Sequence, residues 1–321
     1  VQSFLRAVAQ RLADQIEAFE PEIRDHARYA LGTQGKQLRP ALVGLSARAA
    51  GRLTDEHVTV ATIIEMVHLA TLVHDDVMDA AALRRRRPTL AVQCGPATSV
   101  LVGDCLFAHA LVLAASFPTP DVCRAVAAAT KTVCTGETIQ TERPGRLDQG
   151  REAYYRVLRM KTGELFALSC ELGARLAGAD DVIQGALRTY GMELGTAYQI
   201  YDDCVDLFGA EAQAGKSLGT DLLNGKLTLP VLVASERCSG RERAELENLL
   251  AAWQPDHLPR LRDLLRQTEA LAECRRVIRN FCQHAVAALG LIPDNAGRHC
   301  LVSAAEFLVR QAEALGPEPA S

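Results

Sequence analysis

Two short acidic clusters constrain this chain more than any other feature. They are Asp75-Asp76-Val77-Met78-Asp79 and, 127 positions later, Asp202-Asp203-Cys204-Val205-Asp206. Both have the pattern DDxxD, and both interrupt segments whose Ala, Leu, Val and Ile recur at helical spacing. Residues i and i+4 share a helix face, so Asp75 with Asp79, and Asp202 with Asp206, each aim two carboxylates in one direction. Like charges at that spacing weaken a helix unless a cation sits between them. Oxygen-only ligands suit hard ions, and carboxylates with substrate phosphates are the usual Mg²⁺ arrangement. One such cluster arises by chance in a chain of this length at about 4%, and two at about 0.1%. A solvated helix face therefore explains one cluster but not the pair.

The rest of the chain reads as helix. Alternating Val, Ile and Thr runs bounded by turns do not recur, and the periodicity predicts helices over about 2–18, 21–33, 39–50, 56–80, 95–117, 120–142, 149–177, 180–209, 227–238, 240–253, 260–289 and 298–315. Breaks fall at Gly32, Pro88, Pro118 to Pro120, Pro144-Gly145, Gly215 to Gly225 and Pro293. No linker or fixed-period repeat appears, so one domain over 1–321 is expected. The segments holding the clusters are apolar nearly all round, as in the central helices of a large bundle. That places the clusters at the mouth of a central cavity between helices, where bundle sites are built. The expected class is an all-α, single-domain helical bundle.

Bulk properties exclude several functions. A net charge of −4 argues against a nucleic-acid surface. Ten cysteines form no CxxC or CxxH pattern and lie mostly inside apolar helical stretches, as reduced core thiols do. No zinc spacing appears among the eight histidines. The first 20 residues are amphipathic and charged throughout, unlike a signal peptide. No apolar run reads as a membrane anchor, and the expected location is cytoplasmic. The missing initiator Met suggests numbering that starts inside a longer chain.

Positive charge gathers near the clusters as if to hold an anion. Lys36 and Arg39 lie three apart in Gly35-Lys36-Gln37-Leu38-Arg39-Pro40, and His68 precedes Asp75 by two helical turns. Arg84 to Arg87 follow the first cluster, while Lys161 precedes Thr162-Gly163, where a helix irregularity is expected because Gly weakens a helix interior. Gln199 sits a turn before the second cluster, and Lys216 and Lys226 flank the loop after it. Singly each has a plain explanation. Four arginines are usually a solvated face, and a lone His on an apolar helix is usually a hydrogen-bonded core residue. Gly215-Lys216-Ser217 is not a P-loop, since Ala210 stands where that motif needs glycine and a helix, not a strand, precedes it.

Taken together, the motifs GKxxRP at 35–40, HxxxLxHDDxxD at 68–79, LRR at 83–85, GExxQ at 136–140, KTG at 161–163, YQxxDDxxD at 198–206 and GKxxGxDLxxGKxTLP at 215–230 stand in an order that resembles the trans-isoprenyl diphosphate synthases, the polyprenyl synthetase family. Two departures, Gln34 and Arg86-Arg87, remove no expected ligand. The resemblance implies the isoprenoid synthase type I fold, a homodimer, and a prenyltransferase that condenses isopentenyl diphosphate with an allylic diphosphate. It implies more than one Mg²⁺, with Asp75, Asp79 and Asp202 as direct ligands and Asp76, Asp203 and Asp206 completing the set directly or through water. Lys36, Arg39, His68 and Arg85 are implied to hold isopentenyl diphosphate. Arg84, Lys161, Thr162, Gln199, Lys216 and Lys226 are implied to hold the allylic diphosphate, with Thr162 and the backbone near Gly163 aiming oxygen dipoles at the allylic cation.

Product length follows from the helix behind Asp75, which descends at ~1.5 Å per residue. Ala70 and Thr71 are small, and Val67 and Met66 continue without a ring, where short-chain relatives place an aromatic. The resemblance then implies a product longer than geranylgeranyl, with a geranylgeranyl or farnesyl diphosphate synthase as the alternative. A class I terpene cyclase would carry a different second metal motif, and a non-catalytic regulatory subunit would have damaged acidic motifs. Both clusters here are intact.

Overall fold

The computed structural model describes residues 1–32, 35–85, 87–142, 145, 150–209 and 218–316. Among these the regular structure is almost wholly helical. The chain divides into two compact units, the first comprising 1–132, 164–191 and 288–302, and the second 133–163, 192–287 and 303–321.

In the first unit, α1 (Gln2–Ile16) buries Phe4, Val8, Leu12 and Ile16, a four-residue spacing that lines one face. It is followed by α2 (Pro21–Leu31), α3 (Leu38–Ala50) and α4 (Asp55–Met78). The start of α4 is fixed by a capping box in which the Thr54 N–H donates to His57 Nδ1 at 3.0 Å. With Nδ1 accepting, Nε2 carries the proton and donates to the Gly173 carbonyl at 3.1 Å. This helix packs against α1, α3, α6 (Pro96–Ala115) and α9 (Glu164–Leu176), which is why it is apolar nearly all round. Length and composition alone would let α4 and α6 pass as membrane spans. The structure separates them, because 72% of the apolar window of α4 is buried against 33% for α6. Helix α4 is therefore a core helix, whereas α6 keeps one apolar face outward.

Between α4 and α6 the chain forms a short hairpin of Leu83–Arg84 and Arg87–Pro88, then α5 (Leu90–Cys94). Strands of two residues are too short to show alternation, so no period marks them in the sequence. The arginine run is partly used here. Arg87 lies over the Tyr29 ring at 4.7 Å, and Arg84 pairs with a carboxylate described below.

The second unit contains the end of α7 (Asp121–Thr141), α8 (Gly150–Leu158) and the second half of α10 (Asp181–Phe208), followed by shorter helices. The irregularity expected near Gly163 is a π-helical turn over Arg159–Gly163 joining α8 to α9. The single helix expected over 260–289 is two, Leu258–Gln267 and Ala270–Ala288. Glu269 adopts a left-handed φ of 51° at the break, and Arg237 donates to the Thr268 carbonyl at 2.7 Å. No Gly or Pro marks this stop; a partner from another helix sets it.

Candidate active site

The first acidic cluster is built on the last turns of α4. Counting ~100° per residue, Glu65, His68, Leu72, Asp76 and Asp79 fall on one stripe of the helix, with Asp75 at its edge. The carboxylates divide by burial. Asp75 and Asp79 are half-buried, while Asp76 is buried and accepts from Arg84 Nε at 2.7 Å. Burial pushes the Asp76 pKa up, and Arg84 opposes that shift. Arg84 is thus committed to holding an acidic residue of the cluster.

Around this stripe lie the cations of the same unit. Lys36 is exposed just before α3, and Arg39 sits in its first turn with its guanidinium 5.1 Å from the centre of the buried Phe166 ring. The α3 N-terminus carries no side-chain cap, so its amide donors and dipole favour an anion. Arg85 projects from the hairpin at a left-handed φ of 50°. The Gly35 backbone lies so close that a Cβ there would come within 2.1 Å of the Arg85 guanidinium, which would have to move to admit one. Desolvation holds the His68 pKa well below its ordinary value, helped by the charges of Arg39, Arg85 and Arg84. His68 is therefore neutral at physiological pH and offers a hydrogen bond, not a charge.

The second acidic cluster is built on the last turns of α10. Asp202 is half-buried, whereas Asp203 and Asp206 are buried and held by protein donors. Asp203 accepts from the Tyr154 hydroxyl at 2.5 Å and from Gln199 Nε2 at 2.8 Å. Gln199 Oε1 in turn accepts from Thr162 Oγ1 at 2.8 Å, so a chain of hydrogen bonds runs from the π-helical turn through Gln199 to the cluster. Burial, and the nearby charges of Asp221 and Asp202, push the Asp203 pKa well above the usual carboxylate range. Asp206 is fully buried and receives Thr220 Oγ1 at 2.9 Å and the Asp221 N–H at 3.2 Å.

This explains the motif after the cluster. Asp206 anchors the turn at Gly219, where φ is 72° and Trp253 Nε1 donates to the carbonyl at 3.1 Å. The Asp221 carbonyl then accepts from the Lys226 N–H at 2.8 Å, fixing the backbone at Lys226. Lys216 lies outside the described residues. On the π-helical turn, Lys161 Nζ is paired with Glu137 and donates to Gln140 Oε1 at 2.9 Å. The motif GExxQ thus supplies two partners of Lys161, a role that its spacing alone does not assign. Tyr154 was missed as well, although its place seven residues before Lys161 puts it two turns back on the same helix.

The chain-length candidates lie on a different side of α4. Met66, Val67 and Ala70 are fully buried and Thr71 is half-buried, its hydroxyl donating to the His68 carbonyl at 2.7 Å.

The donor set fits a hard divalent ion, since every accessible acidic group in the two clusters is a carboxylate. Among the described residues no three His, Cys, Asp or Glu side chains converge on one ion. Sites of that kind suit a metal that takes one or two carboxylates and completes its shell with substrate phosphate and water.

An all-helical chain with two acidic helix ends and fixed cations beside each has the make-up of a transferase acting on diphosphates. Comparison with known proteins agrees. The polyprenyl synthetase family profile matches residues 20–267. Octaprenyl diphosphate synthase from Escherichia coli is 32% identical over 310 residues, covering 96% of this chain and 95% of that protein. The crystal structure of a decaprenyl diphosphate synthase from Rhodobacter capsulatus superposes with a TM-score of 0.90 at 32% identity, covering 97% of both chains. A polyprenyl synthase from Caulobacter crescentus, crystallised with calcium and isoprenyl diphosphate, gives 0.88 at 34% identity, covering 96% of this chain and 93% of that one. The chain belongs to the polyprenyl synthetase family and is a prenyltransferase.

Proposed function

We propose that this polyprenyl diphosphate synthase extends an allylic diphosphate with isopentenyl diphosphate to a product longer than geranylgeranyl, acting as one catalytic domain over 1–321. The observation that carries the reading is the division of the carboxylates. Asp75, Asp79 and Asp202 are only half-buried, whereas Asp76, Asp203 and Asp206 are buried and bonded to Arg84, Tyr154 and Thr220.

In this reading Asp75, Asp79 and Asp202 hold Mg²⁺, more than one ion, and the other three act behind them or through water. The bound metal supplies Lewis acidity at the diphosphate. Lys161, held by Glu137 and Gln140, offers a preorganised cation to the departing diphosphate, with Arg84, Gln199, Lys216 and Lys226 contributing. Lys36, Arg39 and Arg85 bind the isopentenyl diphosphate by charge, and neutral His68 binds it by a hydrogen bond. The allylic C–O bond breaks and pyrophosphate leaves. The isopentenyl double bond supplies the electrons of the new C–C bond, and a proton passes to a pyrophosphate oxygen. Thr162 and the π-helical backbone place oxygen dipoles toward the cation. The buried apolar residues behind Asp75 keep water from it.

The test is incubation with Mg²⁺, farnesyl diphosphate and isopentenyl diphosphate, followed by sizing of the products. Repeated incorporation of isopentenyl units beyond geranylgeranyl is the expected result. A cyclised hydrocarbon without incorporation, or no turnover, would refute the reading.

The outer face of α6 exposes Leu101 and Val112 at 64% and 65%, with Val100 and Leu111 beside them. An apolar stripe of this kind is costly in water, and we assign it to a second copy of the chain. Light scattering should give twice 34.7 kDa, and Leu101→Glu with Val112→Glu should reduce this to the monomer mass. We place the enzyme in the cytoplasm, consistent with its free cysteines.

A further inference from the structure

The allylic side of the site contains a buried hydroxyl to which the reaction assigns no part. Tyr154 is buried on α8, and its ring lines a cavity of about 50 Å³ with Lys226 and the Lys161 partner Gln140. The hydroxyl donates to Asp203 Oδ2 at 2.5 Å, while Gln199 Nε2 donates to Oδ1 at 2.8 Å. Each oxygen of Asp203 is thus held by a different side chain, one from α8 and one from α10 itself. Thr162 Oγ1 continues the chain by donating to Gln199 Oε1 at 2.8 Å. An ionised carboxylate only accepts, so Gln199 turns its amide nitrogen to Asp203 and its oxygen to Thr162. The Thr162 proton is then committed, and only lone pairs remain on its oxygen.

The π-helical turn brings Tyr154 and Thr162 to the same neighbour. At ~100° per residue, an unbroken α-helix would set Lys161 about 20° from Tyr154 and Thr162 about 80° from it. The i→i+5 turn over Arg159–Gly163 adds a residue to the winding and rotates Thr162 back toward the Tyr154 face. Both hydroxyls then meet α10, one at Asp203 and one at Gln199. Lys161 turns instead to Glu137 and Gln140 of α7.

We propose that Tyr154 is a positioning residue for the allylic side of the reaction. Its hydroxyl fixes Asp203 and, through Gln199 and Thr162, keeps the second acidic cluster in register with the π-helical turn. The inference rests on the proposed function, because it assigns a role within the same site. Tyr154 touches neither substrate nor metal. Asp203 carries its effect to the cluster, and Gln199 carries it to the turn that presents Lys161 and Thr162. The residues assigned to isopentenyl diphosphate take part in none of these bonds, so affinity for that substrate should not follow.

The experiment is calorimetric titration of the full chain with farnesyl diphosphate and Mg²⁺, without isopentenyl diphosphate so that nothing is consumed. KM for isopentenyl diphosphate and thermal unfolding are measured on the same proteins. For Tyr154→Phe we expect the farnesyl diphosphate Kd to rise about tenfold, the scale of one charge-assisted hydrogen bond. KM for isopentenyl diphosphate should stay within about twofold, well below that scale. Tyr190→Phe is the structural control, since it removes another buried hydroxyl, one that donates to the Leu301 carbonyl at 2.7 Å. It should lower the thermal midpoint, as Tyr154→Phe does, and leave both affinities unchanged. Asp203→Asn should match Tyr154→Phe in farnesyl diphosphate affinity. Adding Tyr154→Phe to it should change the Kd by less than about twofold, because residues that act as one unit are not additive.

A Tyr154→Phe or Asp203→Asn Kd within about twofold of the parent, or the same loss in Tyr190→Phe, would overturn the inference. So would additive losses in the double variant, an equal rise in the isopentenyl KM, or a Tyr154→Phe protein that unfolds. If the parent itself neither binds farnesyl diphosphate with Mg²⁺ nor incorporates isopentenyl units, the proposed function fails. If the parent does both and Tyr154→Phe matches it, only the inference fails.

Discussion

Asp202→Asn should abolish nearly all elongation while leaving the protein folded. Asp202 is half-buried, and Asn has almost the same shape. A partly exposed isosteric change away from caps and cores usually moves stability by within ~0.5 kcal/mol. The charge it removes, by contrast, is one we assign to the metal and hence to the charge that develops on pyrophosphate. Losing one preorganised stabiliser of that kind costs ~10²- to 10³-fold in kcat, and loss of a direct metal ligand should reach the upper end. The informative control is Asp206→Ala. That change leaves Thr220 Oγ1 and the Asp221 N–H, both half-buried, without this acceptor, which costs about 1 kcal/mol or more per unsatisfied group. Asp206→Ala should therefore lower the thermal midpoint, whereas Asp202→Asn should not. Rates measured across a Mg²⁺ titration, with unfolding curves on the same samples, separate the two. A kcat for Asp202→Asn within about threefold of the parent, under ~0.7 kcal/mol of barrier, would remove Asp202 from the ligand set.

Ala70→Phe should shorten the product by several isoprene units. Ala70 is fully buried on the side of α4 that also carries Met66 and Val67. If the growing chain passes this side, a benzyl group there closes the path early and short products dominate. Overpacking a filled core commonly costs ~1–3 kcal/mol, so some loss of stability should accompany the change. The decisive readout is the product distribution from radiolabelled isopentenyl diphosphate, because a bystander substitution lowers yield without altering length. An unchanged distribution in a folded Ala70→Phe enzyme would mean that the chain grows along another surface.

Much of this was legible in the chain itself, for identifiable reasons. Helical periodicity is a local property, and it located α4 and α10 to within a few residues. The spacing of Asp75 with Asp79, and of Asp202 with Asp206, fixed which residues share a face. The glycine at 163 marked the turn that became π-helical. The stop at Glu269 carried no such mark, because it is set by Arg237 from a separate helix. Short strands at 83–88 were also invisible, since two residues show no period.

The sequence by itself determined the helical class, the family and the identity of the six acidic residues. Those depend on residue type and spacing, which a one-dimensional pattern records. Tertiary structure alone decided how the six divide. Asp75, Asp79 and Asp202 remain accessible, while Asp76 is taken up by Arg84, Asp203 by Tyr154 and Gln199, and Asp206 by the turn at Thr220. It also holds the His68 pKa well below its ordinary value, through burial and the nearby arginine charges. Burial and partnership arise from segments distant in the chain, and these set the charge, hydration and freedom of a side chain.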